Sequence, residues 1–386
     1  DILMTVFFFT VGLEIRREMK NGELSSLKKA MMPVIAAFGG VVAPALIFTA
    51  INHGSAAASG WGIPTATDIA FAVGILSILG DRVPVSLKVF LTALAIANDL
   101  IAILVVALFY GGTINFGLLS IAFVLIALVL LMNKLGEKRG WFYLVPAIAI
   151  WSLFYYAGIH STMSGVVMAF LVPMTPRFNE AYFHRKRLQY IRRLNEYNGI
   201  ASTSSEFPNG PQRHCLRRLS AISRDSIGMS YRLEHALGPW VNFLIMPIFA
   251  LANAGVEIPD VSYFNVFQFD QVLGSVSMGI FLGLVLGKPL GISLASFIAV
   301  KLHVGEMPAK STWPMLIAVA CLGGIGFTMS IFVDTLSFGD QTPEVMARLR
   351  DMGKVAVLMG SLCAGILGSV LINIIHGIES RKAVKA

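Results

Sequence analysis

The sequence predicts an all-α polytopic membrane protein, and three observations carry that reading. Of 386 residues, 56% are hydrophobic and 13% charged, against roughly 25% charged in soluble domains; mean hydropathy is +0.73. Apolar runs of about 17–25 residues, the length an α-helix needs to cross a bilayer, recur along the chain. Lys and Arg collect in alternate connections between those runs, as the topology of a multi-pass protein requires. The ten-residue alternating segments of a membrane β-barrel are missing from the sequence.

The chain opens at Asp1 directly in apolar sequence, DILMTVFFFTVGLEIRRE, which reads as the second half of a helix. It lacks the basic lead and cleavage site of a signal peptide, and the N-terminus is expected to be truncated. Further spans are expected at Pro33–Ile51, Gly62–Leu79, Leu87–Tyr110, Phe116–Met132, Trp141–Ala157, Ile159–Val172, Trp240–Val256, Val272–Val300, Trp313–Leu336 and Lys354–Ile375. About 11 helical segments result, forming one integral domain over residues 1–386.

Charge orients them. Arg16, Arg17, Lys20, Lys28 and Lys29 follow the first segment, and two connections later come Arg82 and Lys88. Lys134, Lys138 and Arg139 are next, then the basic stretch Met174–Leu237, then Lys301 and Lys310, and finally Arg381, Lys382 and Lys385. The intervening connections near His53, Gly111, Gly158 and Glu257–Asp270 carry no Lys or Arg. The last, expected as a loop near Asp334–Asp351, is the exception, with Arg348 and Arg350. The positive-inside rule therefore places the C-terminus in the cytoplasm. It also accounts for the net charge of +8 without nucleic acid as a partner.

Residues 178–232 read as a basic, partly flexible cytoplasmic insertion. His184–Glu196 has the composition of a basic amphipathic helix able to lie on anionic headgroups, while Asn198–Gln212, rich in Gly, Pro, Ser and Asn, reads as mobile. A solvated insertion obeying the charge rule is the simpler reading. The three cysteines, Cys215, Cys321 and Cys363, have no disulfide or zinc spacing.

Three ionisable groups stand at membrane depth. In LAIANDLIAIL (Leu94–Leu104), Asn98 and Asp99 interrupt an apolar run. Asp99 lies about 12 residues into its span, or roughly 18 Å along a hydrocarbon core about 30 Å thick. An acid at that depth costs about 2.5–3.5 kcal/mol at insertion, so it reads as functional and as facing protein or water. Asp68 belongs to GIPTATDIAFAVG, where Pro64 removes a backbone donor and the Thr65 and Thr67 hydroxyls compete for backbone partners. That predicts an interrupted helix, tolerated in a membrane only where it lines a protein cavity. GGIGFTMS (Gly323–Ser330) predicts a second break.

Each break falls in the middle helix of a group of three. The first is followed by the helix with Asp99; the second is preceded by the helix with Lys288, in GLVLGKPLGIS. Paired interrupted helices point to a secondary transporter built from inverted repeats, though the family named below is among the cases from which that rule was drawn. Crossed breaks would aim opposite half-helix ends at each other, and Asp68 and Lys288 are placed to compensate them. A buried ammonium needs a carboxylate or a wet cavity, so Lys288 is expected near Asp68 and Asp99; snorkelling to the interface is the alternative. A carboxylate in such a cavity can hold a proton or a cation, and mutually exclusive occupancy couples the two ions if the cavity opens to one side at a time. Asp68, Asp99 and the Thr67 hydroxyl are hard oxygen ligands suited to an alkali cation. No cofactor is called for.

VGLEIRREMKNGELSSLKKAMMPVIAAFGG, IPTATDIAFAVGILSILGDRVPVSLKVFLTALAI, NDLIAI, AGIHSTMSGVVMAFLVP, RLEHALGPWVNFLIMPIFALANAGV, GLVLGKPLGIS and CLGGIGFTMSIF resemble, in this order, the NhaA-type bacterial Na⁺/H⁺ antiporters. The resemblance runs through the last helix and lapses only in the insertion. It implies twelve helices, a bacterial inner-membrane location, a homodimer, and pH-regulated exchange of Na⁺, and also Li⁺, for H⁺. It makes Asp68 and Asp99 the ion-binding acids and Lys288 the functional lysine. It assigns Glu14, Arg17, Glu18, Glu234 and His235 to a cytoplasmic pH-sensing cluster, and His160 also matches a family position.

Two departures matter. Gly238 stands where the family repeats a histidine, and Asn98 stands where it carries a second acid that pairs with the lysine. Asp68⁻, Asp99⁻ and Lys288⁺ give the site a net charge of −1, so the family's electrogenic stoichiometry does not simply carry over. A channel-like or non-transporting sensor on the same fold is the alternative function. An enzyme is disfavoured, because no nucleophile–base pair, metal-binding HExxH or phosphate-cradling glycine loop accompanies the buried acids.

Overall fold

In hydrocarbon a chain must satisfy its backbone polar groups internally, and the apolar runs of this sequence do so as helices. The computed structural model describes residues 1–111, 114–176, 178, 180–200, 209–253, 255, 266, 274–309, 311–339 and 341–385. Six helices there are long and apolar enough to cross a membrane: Lys29–Ile51, Val85–Phe109, Phe116–Lys134, Met229–Asn253, Val276–Lys301 and Pro343–Arg381. Two further pairs are bent at a short break, Ala56–Thr65 with Ile69–Arg82 by 41° and Trp313–Leu322 with Phe327–Ser337 by 52°.

The packing divides into two units. The first comprises Asp1–Glu14, Asn115–Ala157 and Ser161–Val241. It holds the start of α1 (Ile2–Asn21), then α5 (Phe116–Lys134), α6 (Trp141–Tyr156), α7 (Met163–Leu171), α8 (Glu180–Ile200), α9 (Gly210–Asp225) and α10 (Met229–Trp240). A Cβ on Gly165 of α7 would stand 2.3 Å from the Thr5 carbonyl oxygen, so glycine lets α7 lie directly on α1. Trp151 Nε1 donates to Thr5 Oγ1 at 3.0 Å, and Asn133 Nδ2 to the Leu171 carbonyl at 2.6 Å.

The second unit comprises Ile15–Ile114, Gly158–His160 and Asn242–Ala386. It contains α2 (Leu27–Ile51), the 3₁₀ segment Ala56–Thr65, α3 (Ile69–Leu79), α4 (Val85–Phe109), α11 (Met246–Asn253), α12 (Val276–Leu282), α13 (Lys288–Lys301), α14 (Trp313–Leu322), α15 (Phe327–Ser337) and α16 (Pro343–Lys385). One apolar core joins α2, α3, α4, α13, α14 and α16 through residues such as Ala36, Leu76, Leu91, Ile292, Leu316 and Ala364. A π-helical turn, Gly283–Gly287, joins α12 to α13.

The structure moves several expected boundaries. The span expected from Trp240 begins at Met229, because α10 runs through a second π turn, Val241–Ile245, into α11. Within Ile159–Val172 the helix is confined to Met163–Leu171. The region expected as an outer loop, Asp334–Asp351, is mostly helix: Asp334 lies inside α15, and Arg348, Arg350 and Asp351 lie inside α16. The exception to the charge alternation is therefore two arginines on a helix, not a basic loop. The span expected to start at Lys354 begins at Pro343, because Arg348, Arg350 and Asp351 are carried on the helix and not on a loop before it.

The basic stretch His184–Glu196 is helical within α8. Of the stretch expected to be mobile, residues 201–208 lie outside the described residues, and Asn209–Gln212 closes a capping box at the start of α9. The connection Glu257–Asp270 lies outside them too, apart from residue 266.

Candidate functional site

The two broken helices meet at their breaks. The 3₁₀ segment and α14 each end at the crossing, while α3 and α15 each begin there. Asp68 N–H donates to the Ile325 carbonyl at 2.7 Å, which ties one break to the other. An arrangement of this kind gathers two sets of unpaired carbonyls and two sets of unpaired N–H groups in one place.

Asp68 serves both N-termini. Its Oδ1 accepts from Phe71 N at 3.3 Å, capping α3, and its Oδ2 accepts from Thr328 N at 3.1 Å in the first turn of α15. The Thr328 hydroxyl donates to the same Oδ2. One carboxylate thus lies on the positive ends of two half-helices, and it is 1% exposed. Ser361 of α16 completes the second cap, its Oγ accepting from Gly326 N at 3.2 Å and Phe327 N at 3.0 Å.

Lys288 serves the opposite ends. Its Nζ donates to the Ala66 carbonyl at 2.5 Å and to Thr67 Oγ1. Thr67 Oγ1 in turn donates to the Gly323 carbonyl at 3.0 Å, just past the end of α14. The π turn Gly283–Gly287 immediately precedes Lys288 and shifts the phase of the helix there, a distortion that recurs at functional sites.

Asn98, on α4, donates its Nδ2 to the Thr65 carbonyl and to Thr67 Oγ1, both at 3.0 Å. The Thr67 hydroxyl therefore accepts twice and donates once, which exhausts its hydrogen-bonding capacity. Asp99, 2% exposed and next in sequence on α4, is the carboxylate whose charge acts on Lys288. Asp68, Thr67, Asn98, Asp99 and Lys288 thus form one buried cluster.

The residues expected as a pH-sensing set lie on α1 and α10. Glu14, Arg17 and Glu18 share α1, where Arg17 Nη2 pairs with Glu18 Oε1 at 3.1 Å. Glu234 and His235 share α10, with the exposed His235 ring edge-on to Tyr231 at 4.2 Å between centroids. His160 Nε2 bonds the Tyr110 carbonyl at 2.5 Å, at the end of α4.

Two residues were not singled out from the sequence. Thr328 belongs to the GGIGFTMS break, but only the crossing shows that it faces Asp68. Asp334 was read as the start of a loop and is instead fully buried in α15.

The chain matches the sequence model of the Na⁺/H⁺ antiporter 1 family over residues 1–372. It is 42% identical to the Na(+)/H(+) antiporter NhaA of Syntrophobacter fumaroxidans, over 95% of this chain and 76% of that protein. The antiporter of the same name from Oleidesulfovibrio alaskensis is 41% identical, over 99% and 82% respectively. That of Acidithiobacillus ferrooxidans is 43% identical, over 95% and 82%.

Proposed function

The chain belongs to the Na⁺/H⁺ antiporter 1 family, and on that premise we propose that it is a secondary active exchanger moving Na⁺ out of the cytoplasm against entering protons. The observation that carries this reading is the buried cluster at the crossing. Asp68 and Lys288 are engaged with opposite half-helix ends, while Asp99 projects from an unbroken helix. Asp99 is therefore the acid whose own helix stays continuous when a proton or a cation comes and goes.

Asp68 and Asp99 hold the cation through carboxylate oxygens, and Asn98 and Lys288 position the non-helical backbone around them. Thr67 becomes a ligand only when Lys288 or Asn98 withdraws, because its lone pairs are taken. With Lys288 charged, the site carries net −1 and is neutralised by one Na⁺ or one H⁺. Occupancy is mutually exclusive, and exchange follows if the breaks at residues 66–68 and 323–326 open the site to one side at a time. Charge alternation supports a cytoplasmic C-terminus, and the family resemblance supports a bacterial inner-membrane location. The family resemblance supports Li⁺ as a second cargo, a homodimer, and pH control through Glu14, Arg17, Glu18, Glu234 and His235.

Everted membrane vesicles test the reading. Asp99→Asn should abolish Na⁺-driven dequenching of a pH dye while the protein is still inserted; transport that survives the change removes Asp99 from the mechanism. Asp68→Asn should raise the apparent KM for Na⁺ at least about 10-fold, since it removes one of two charged ligands; each tenfold corresponds to about 1.4 kcal/mol. Gradient-driven uphill exchange in proteoliposomes separates an exchanger from a channel-like protein on the same fold.

A further inference from the structure

Asp334 has no role in the site just described, yet it is 0% exposed and lies on α15, the half-helix that begins at Asp68. Thr328 binds Asp68, and Asp334 lies six residues further on, about 9 Å along the helix axis. It is thus a separate station, displaced from the crossing toward the far end of α15. Its carboxylate lies against α16, where a Cβ on Gly353 would stand 2.1 Å from Oδ1. Only a glycine leaves room for the acid.

Neither oxygen of Asp334 has a hydrogen-bond partner among the described residues. The charged groups around it are named readily. Arg350 and Lys354 of α16 and Asp351 between them act on it electrostatically. Both cations have other acceptors: an Arg350 terminal guanidinium nitrogen donates to the Thr335 carbonyl while its Nε has no partner among the described residues, and Lys354 Nζ lies 3.3 Å from the Gly255 carbonyl and 3.7 Å from Asp351 Oδ1. From the residue that ends α4 the Tyr110 phenol faces the same region, donating to the Ser59 carbonyl at 2.8 Å and accepting from Gly62 N at 3.1 Å. From α11 the Phe249 ring approaches α15 at Phe332, 6.3 Å between centroids.

The acid continues a polar line. Ser330, Asp334 and Ser337 recur at four- and three-residue spacing, so they share one face of α15. All three are buried, and the Ser330 hydroxyl too has no hydrogen-bond partner among the described residues. Across the seam Ser361 caps α15 at its inner end, and Arg350 and Lys354 close its outer end. A buried ionised carboxylate without a donor is a costly arrangement, and the cost is relieved by a proton or by a salt bridge. In the arrangement described, the salt bridge is not made.

We propose that Asp334 is a second proton-binding station, in the seam between α15 and α16, through which protons pass between the crossing and the outer face. It holds a proton while Arg350 and Lys354 are engaged elsewhere. When α15 shifts against α16, one of those cations becomes its partner and the proton leaves along the Ser330–Ser337 face. The station relays protons and does not change how many are exchanged per Na⁺. The direction of the relay rests on the exchanger reading above; the proton-binding itself does not.

Asp334→Asn keeps the shape and removes the exchangeable proton, whereas Asp334→Glu keeps the acid. In proteoliposomes the amide should slow Na⁺-driven proton flux about 10-fold and flatten its dependence on outer pH, with equilibrium ²²Na⁺ binding unchanged. The glutamate should restore at least half of the rate. Wild-type flux and pH profile in Asp334→Asn overturn the proposal, and so does a parallel loss of rate and Na⁺ binding in both variants, which marks a structural role. Should the amide variant not insert, infrared difference spectra of the wild type and Asp334→Glu between acid and alkaline pH decide the matter. A protonated-carboxyl band that shifts between the two proteins supports the station, and identical spectra reject it. The same spectra taken in Asp99→Asn, where exchange is lost, separate failure of this station from failure of the exchanger reading.

Discussion

Asn98 shows how one side chain sets the electrostatics of the crossing. Its amide donates to the Thr65 carbonyl and to the Thr67 hydroxyl, two acceptors that an ionised carboxylate at this position could not serve. Asn98→Ala should therefore strand the Thr65 carbonyl and cost about 1–3 kcal/mol of stability, read as a lower thermal unfolding midpoint in detergent. The charge of the site stays the same, so the Na⁺ dependence of exchange should move less than the midpoint does. A midpoint that does not fall would show that the amide bonds contribute nothing to the crossing. At this scale much was legible in advance: Asp68, Asp99 and Lys288 stand out because ionisable groups are conspicuous in apolar runs. Thr328 and Asp334 were not. A threonine in a glycine-rich break has no signature of its partner across 260 residues of sequence, and Asp334 sits where falling hydropathy imitates a loop.

Among the elements, the close contact of α2 with α13 fixes where Lys288 lies. A Cβ on Gly39 would stand 2.3 Å from the Gly291 carbonyl oxygen, and one on Gly291 would stand 2.1 Å from that of Gly39. The helices meet backbone to backbone, as small residues permit in membrane proteins. The seam continues at Gly287, against Pro44 of α2, and Gly283 packs on Pro64 of the 3₁₀ segment. Gly291→Ala should force α13 away from α2, destabilise by about 1–3 kcal/mol and displace Lys288 less than one turn earlier. A matched Gly377→Ala, at a position with open space around it, should be close to neutral. Equal unfolding midpoints for the two variants would show that the seam is not tight. The two breaks could be read from the sequence. The π turn before Lys288 could not, since it depends on how α12 and α13 seat against α2 and not on any local breaker.

For the molecule as a whole, the proposed exchange makes the sum of charges at the crossing decide what the membrane potential does to transport. Asp68, Asp99 and Lys288 give net −1, and Asn98 contributes no charge. If Lys288 keeps its proton throughout the cycle, the site returns with one H⁺ or leaves with one Na⁺, and no net charge crosses. Moving one elementary charge through the membrane is worth about 2.3 kcal/mol per 100 mV, so an electrogenic cycle cannot hide from the potential. In proteoliposomes with the potential clamped by valinomycin and K⁺, the exchange rate of the wild-type chain should stay the same between zero and an imposed potential. Asn98→Asp adds a carboxylate beside Lys288, raises the site to net −2 when both acids are ionised, and should make the rate potential-dependent. A wild-type rate that already follows the potential would mean that Lys288 releases its proton during the cycle. Its bonds to the Ala66 carbonyl and Thr67 hydroxyl would then have to break and re-form at every turnover. Lys288→Arg, which keeps the charge but cannot give it up, would distinguish that case by losing the potential dependence along with most of the rate.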